Sequence, residues 1–227
     1  MNHPQIAAFA RLAKENAVPT RKLEGQQTRL TRTVHDFAYD PIHDEIVTTS
    51  PFAQAILTFR GGANGQEAPI RIIQGPRTQI MGSGDGDSDR MAIDPVNNLL
   101  FVTGGSGGQG SRLLIFDRTA SGNTPPRGAI KGPTGNQFVV HNDMIIIHSY
   151  DSVFAWSIHD TGENVQPRWK FPAPLGPQAQ EYTRQRGIDV DPVHKEVIIA
   201  SASGNQIRIF SMPELFDDQV PRTSSQR

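Results

Sequence analysis

The loop MGSGDGDSDR, which runs from Met81 to Arg90, sets Asp85, Asp87 and Asp89 at alternate positions among glycine and serine. Calcium takes several hard oxygen ligands, and alternate aspartates on a pliable loop can converge on one ion. The run is not an EF-hand, because Val96 stands where the bidentate glutamate belongs. The three aspartates are therefore candidate calcium ligands. The competing reading is a solvated acidic loop whose glycines and aspartates serve turn geometry.

His35 and Asp36 form a second candidate. Neighbours on a strand point to opposite faces, so they are not a dyad with each other. Either one, held against Arg90 or Arg186 from elsewhere in the chain, would make a perturbed pair suited to acid–base work. The seven histidines show no HxH or HxxxH spacing, which argues against a histidine-metal centre. There is no cysteine, so disulfides, thiolate zinc sites and cysteine nucleophiles are excluded. No G-x-S-x-G elbow, P-loop or dinucleotide fingerprint occurs. The stretch GGSGGQGS from Gly104 joins two expected strands and opens no helix, so it lacks the helix-terminal amides that hold phosphate.

The elements that position these residues follow from an internal repeat. A strand ending in Asp-Pro, a turn and a second apolar strand recur as FAYDPIHDEIVTTS from Phe37, MAIDPVNNLLFVTG from Met91 and IDVDPVHKEVIIAS from Ile188. A degenerate copy, FVVHNDMIIIHS, begins at Phe138. The aligned residues Asp40, Asp94, His141 and Asp191 are about 50 residues apart. Third strands follow as AQAILTF, RLLIF, SVFAW and QIRIF, then a Gly/Asn/Asp-rich turn and, in three copies, a Pro-x-Arg or Pro-Arg opening to a fourth strand. Four short strands of β-branched and aromatic residues make one antiparallel sheet. A single such sheet cannot cover its own faces, and stacking copies around an axis covers them. The Asp before each proline reads first as a turn residue.

Composition agrees. The 227 residues include 21 glycines and 17 prolines, too much punctuation for a helical protein. Net charge is −1 without a basic stripe, so nucleic acid is not an expected partner. No apolar run approaches the roughly 18 residues of a membrane span, and the N-terminus lacks the features of a signal peptide. The compartment stays open, cytoplasmic or exported.

The repeat resembles the NHL-type and related bacterial β-propeller repeats over about Ile6 to Phe210. NHL-type repeats carry an Asp at the end of the second strand, where this chain has Thr49-Ser50, Thr103-Gly104, Ser149 and Ser201. The resemblance implies an all-β propeller, and the repeat copies count to about four four-stranded blades over residues 1–216, with a polar, flexible tail at 217–227. Residues 6–25 match third and fourth strands and are expected to complete the C-terminal blade at 186–212. The alternative is that two chains combine into a larger ring. Propeller ligands gather at the mouth of the channel, which makes His35, Asp36, Arg90, Asn136, Gln137, Tyr150 and Arg186 the candidate ligand-binding residues.

Three functions follow as expectations. The first is a non-catalytic platform that binds a protein, peptide or glycan at the mouth loops, with no cofactor. The second is a calcium-dependent hydrolase resembling the gluconolactonase-type propellers. The third is a structural subunit that assembles through blade edges as a homodimer.

Overall fold

Runs of four to seven β-branched and aromatic residues between turn signals have little choice but to extend and pair. The computed structural model describes residues 4–32, 34, 36–81, 90–104, 112–131, 137–149, 151–174, 185–201 and 206–217. It is all-β, with short 3-10 turns and, among the described residues, no helix long and apolar enough to cross a membrane. The chain forms two compact units, Met1–Gly132 with Thr161–Asn164, and Pro133–Asp160 with Val165–Arg227.

The first unit opens with an antiparallel hairpin of Gln5–Ala8 (β1) and Arg21–Glu24 (β2). Two four-stranded antiparallel blades follow. Blade one is Phe37–Asp40 (β3), Glu45–Ser50 (β4), Ala55–Arg60 (β5) and Arg71–Gln74 (β6), paired in that order. Blade two is Met91–Asp94 (β7), Leu99–Gly104 (β8), Arg112–Asp117 (β9) and Gly128–Lys131 (β10). In the second unit, blade three is Phe138–His141 (β11), Met144–Ser149 (β12), Ser152–Ser157 (β13) and Trp169–Pro172 (β14). The last sheet has three strands, Gln185–Asp191 (β15), Glu196–Ser201 (β16) and Gln206–Ser211 (β17).

Register decides which residues face which way, since cross-strand partners share a face and successive residues alternate. In blade one Thr49 pairs with Ile56 and Ile56 with Ile73, which puts them on one face, here called the leading face. Ile46 with Phe59, and Leu57 with Ile72, lie on the trailing face. The leading face of blade one, Val47, Ile56 and Ile73, packs on the trailing face of blade two, Leu100, Val102, Leu114 and Phe116. The same joint recurs twice. The hairpin puts Ile6 and Leu23 on the trailing face of blade one, with Leu57 and Phe59. Within the second unit, Ile146, Val153 and Ala155 of blade three meet Val197, Ile199 and Phe210 of the last sheet. The third-strand aromatics Phe59, Phe116 and Trp156 are at most 1% exposed. Each is worth about 3–5 kcal/mol against alanine.

The main chain makes its own joint in the first unit. Leu23, Ile73 and Ile130, each on the last strand of its sheet, form parallel bridges to Gly65, Gly122 and Gly162. Gly122, for example, donates its N–H to Ile72 O at 2.6 Å and accepts from Gln74 N at 3.1 Å. These glycines have φ of 63°, 71° and 138°, a region that a β-carbon disfavours.

Candidate functional site

The strands bring polar side chains to both ends of each blade. At the end where a blade's first strand begins, Asp36, Arg90 and Gln137 stand immediately before β3, β7 and β11. Asp36 bonds to the main chain at two places. Its Oδ2 accepts the N–H of Met91 at 3.1 Å and its Oδ1 that of Phe37 at 3.0 Å. It therefore ties the start of blade one to the start of blade two. Its own N–H donates to Thr49 Oγ1 at 3.2 Å, just as Arg90 N–H donates to Thr103 Oγ1 at 2.8 Å. In the second unit Gln137 lies close to Gly187 on the first strand of the last sheet. Its Oε1 lies 3.3 Å from where a β-carbon on Gly187 would sit. His148, 1% exposed, holds Ala173 O through Nε2 at 3.0 Å, so the histidine on the apolar strand is a satisfied core residue.

His35, Asn136, Tyr150 and the three loop aspartates Asp85, Asp87 and Asp89 lie outside the described residues, as does the side chain of Arg186 on β15. The part of the polar tail at 218–227 does too.

The same end of blade one carries an exposed aromatic. Phe52 is 61% exposed at the centre of the 3-10 turn Pro51–Ala53, which joins β4 to β5. The turn is braced on both sides. Thr31 Oγ1 and Ser50 Oγ are 3.0 Å apart, Gln54 N–H closes on Pro51 O at 2.9 Å, and Gln74 Nε2 donates to Ala53 O at 2.8 Å.

At the opposite end of the strands, the Asp-Pro aspartates are turn residues. Asp40 Oδ1 accepts the amides of Ile42 and His43, both at 2.9 Å. Asp94 and Asp191 repeat the pattern with Val96 and Asn97, and with Val193 and His194. His43 Nδ1 lies 2.7 Å from Asp40 Oδ2, and His194 stands at the same distance from Asp191. That contact with Asp191 raises the His194 pKa above its ordinary value.

Beneath Asp40 sits an ion cluster that the repeat pattern did not single out. Glu45, 7% exposed, occupies a strand position filled by Leu99 and Met144 in the next two blades. Arg71 of the same blade and Arg118 of the next reach its Oε2 at 2.5 and 2.6 Å. Arg118 Nε is also 3.9 Å from Asp40 Oδ2. Burial resists ionisation of Glu45, but the two guanidinium groups outweigh it and hold the carboxyl below the usual range. Burial likewise resists ionisation of Asp40, and the bonds from His43 and Ile42 outweigh it. The available signal was a charged residue in an apolar strand column.

The last sheet repeats half of this cluster. Asp191, His194 and Glu196 take the places of Asp40, His43 and Glu45, and their ligating atoms lie within 4.8 Å of one another. In blade one the corresponding Glu45 is met by Arg71 and Arg118.

No protein family matches the chain, and no curated protein does. Solved structures match its fold. The WD40 β-propeller domain of Doa1 aligns with a TM-score of 0.52 at 12% identity, covering 78% of this chain and 51% of that one. A functionally unknown protein from Desulfotomaculum acetoxidans aligns at 0.53 and 16%, covering 85% and 58%. A "putative 6-phosphogluconolactonase" from Bacteroides uniformis aligns at 0.55 and 12%, covering 88% and 58%. The fold is a β-propeller, and the chain spans a little over half the length of these structures. Nothing specific to NHL-type repeats appears in these likenesses.

Proposed function

We propose that this protein is a non-catalytic platform that binds a peptide, protein or glycan at the end of the blades where the first strands begin. The observation that carries the reading is Phe52, an aromatic ring 61% exposed on a turn braced at Thr31–Ser50 and at Gln74–Ala53. A rigid exposed aromatic beside polar groups is the usual anchor of a recognition surface, because it buries much area at little entropic cost. The polar groups around it support the same reading. Asp36, Thr49 and Thr103 each bond to the main chain at this end of the blades, which holds the surface in place.

The test is to screen the full chain against a displayed random-peptide library and a glycan array, with Phe52→Ala in parallel. Binders that lose about tenfold or more in affinity with Phe52→Ala support the reading. Binders indifferent to Phe52, or none at all, reject it.

The second reading is a calcium-dependent hydrolase with Asp85, Asp87, Asp89, Asp36 and Asn136 near the ion. The likeness to the Bacteroides uniformis protein recommends testing it, although at 12% identity it speaks to the fold alone. Turnover of a simple sugar lactone that needs calcium and is abolished by EDTA would favour this reading.

A further inference from the structure

We propose that the last sheet of one copy docks on the N-terminal hairpin of a second copy, through the same face-to-face joint that packs the blades. The inference is independent of the ligand-binding reading.

The apolar half of the argument is the leading face of the last sheet. Register places Ile207 at the position of Ile56, Leu113 and Val153, which are at most 2% exposed. Ile209 likewise corresponds to Thr58, Ile115 and Ala155, at most 4% exposed. Ile207 and Ile209 are themselves 70% and 58% exposed. Ile198 and Ala200 pair with them on the same face and are half-buried. The hairpin shows the mirror-image vacancy. Its leading face is used on blade one, through Ile6 and Leu23. Its trailing face carries Phe9, at the position of the buried Phe59 and Phe116, and Phe9 is 54% exposed. One chain thus carries both halves of one further joint, each exposing apolar side chains that their counterparts elsewhere bury.

Charge gives the joint its register. Across the blade-one joint, Arg118 of the following blade enters the pocket of Asp40 and Glu45. The last sheet repeats the pocket as Asp191 and Glu196. The hairpin repeats the arginine. Arg11 follows Phe9 and Ala10 as Arg118 follows Phe116 and Asp117. The surrounding turn is also the same. Ala13 N–H donates to Ala10 O at 2.9 Å, as Ala120 N–H does to Asp117 O at 2.9 Å. Glu15 has φ 51°, five residues after Ala10, where Gly122 has φ 71°, five after Asp117. Arg11 is exposed. A hairpin seated on the last sheet as blade two sits on blade one brings Arg11 to Asp191 and Glu196. The joint is head-to-tail, so two copies close on each other or the series runs on.

Sedimentation of the full chain over a concentration series tests this. The expected species has a mass of at least two chains of 24.9 kDa and dissociates as salt is raised. Arg11→Glu and Glu196→Arg, each alone, weaken assembly by about tenfold or more. The two changes in one chain restore it. Phe9→Ser, at an exposed position, weakens assembly without changing the far-ultraviolet circular dichroism. A monomer throughout the series overturns the proposal, including one in which residues 218–227 cover the isoleucines. So does wild-type assembly by Arg11→Glu, or failure of the double exchange to restore it.

Discussion

Arg118 and Glu45 stand on successive blades, 73 residues apart in the chain, with Nη1 and Oε2 at 2.6 Å. The pair is nearly buried and Arg71 shares the same oxygen. Removing Arg118 leaves a carboxylate under a blade with half its compensation. Arg118→Met is expected to cost about 2–3 kcal/mol, which for a chain of this size lowers Tm by about 5–10 °C. Glu45→Gln combined with Arg118→Met should cost less than Arg118→Met alone, because the stranded charge goes with its partner. Chemical denaturation of the three variants gives the cycle, and strict additivity would mean that the pair does not couple the blades.

The same carboxyl sets the acid limb of stability. Glu45 and Asp40 both have pKa values lowered in the folded state. Their contribution is therefore fully present above the ordinary carboxylate range and is lost as pH falls through the lowered values. Melting temperatures should be flat near neutrality and decline as pH drops below about 4. Glu45→Gln should flatten that decline, and an unchanged acid slope would assign the loss to other groups.

Asp36 joins the starts of two blades by accepting the amide of Met91. Asp36→Ala orphans that amide and is expected to lose about 1–2 kcal/mol. Asp36→Asn keeps an acceptor and should lose less. Thermal melts of the two variants separate this role from a metal-ligand role, in which neither loss would appear without the ion.

Melting the protein with excess EDTA and then with millimolar calcium tests the acidic loop. The platform reading expects one Tm in both. A calcium site filled at about 100 times its dissociation constant adds roughly 2.7 kcal/mol, or about 5–10 °C, and would move the assignment to the hydrolase.

The blades were legible in the sequence because their signals are local. The Asp-Pro turn, the β-branched runs and the third-strand aromatics each depend on a few consecutive residues; the turns fall in β3–β4, β7–β8 and β15–β16, and the aromatics Phe59, Phe116 and Trp156 in β5, β9 and β13. The turn role of Asp40, Asp94 and Asp191 was legible for the same reason. The ion cluster was not, since Glu45 and Arg118 meet only after two blades have stacked. Asp36 falls at the blade mouth by its place before the first strand of the repeat, but its bond across the blades was not legible. Its partner, Met91 N–H, is a main-chain group 55 residues away that leaves no mark on the sequence. His148 differs: it lies in the apolar run MIIIHSY, a setting that suits a core residue, and its bond to Ala173 O satisfies it there.

The bridges at Gly65, Gly122 and Gly162 have an evolutionary corollary. A joint made by peptide groups asks almost nothing of side chains beyond one residue that tolerates positive φ. Neighbouring units can then diverge independently while the seam between them persists, and a tandem duplication inserts a new unit with its fastening already attached. Such a lineage gains or loses length in whole steps of about 50 residues, and each step adds its own increment of free energy.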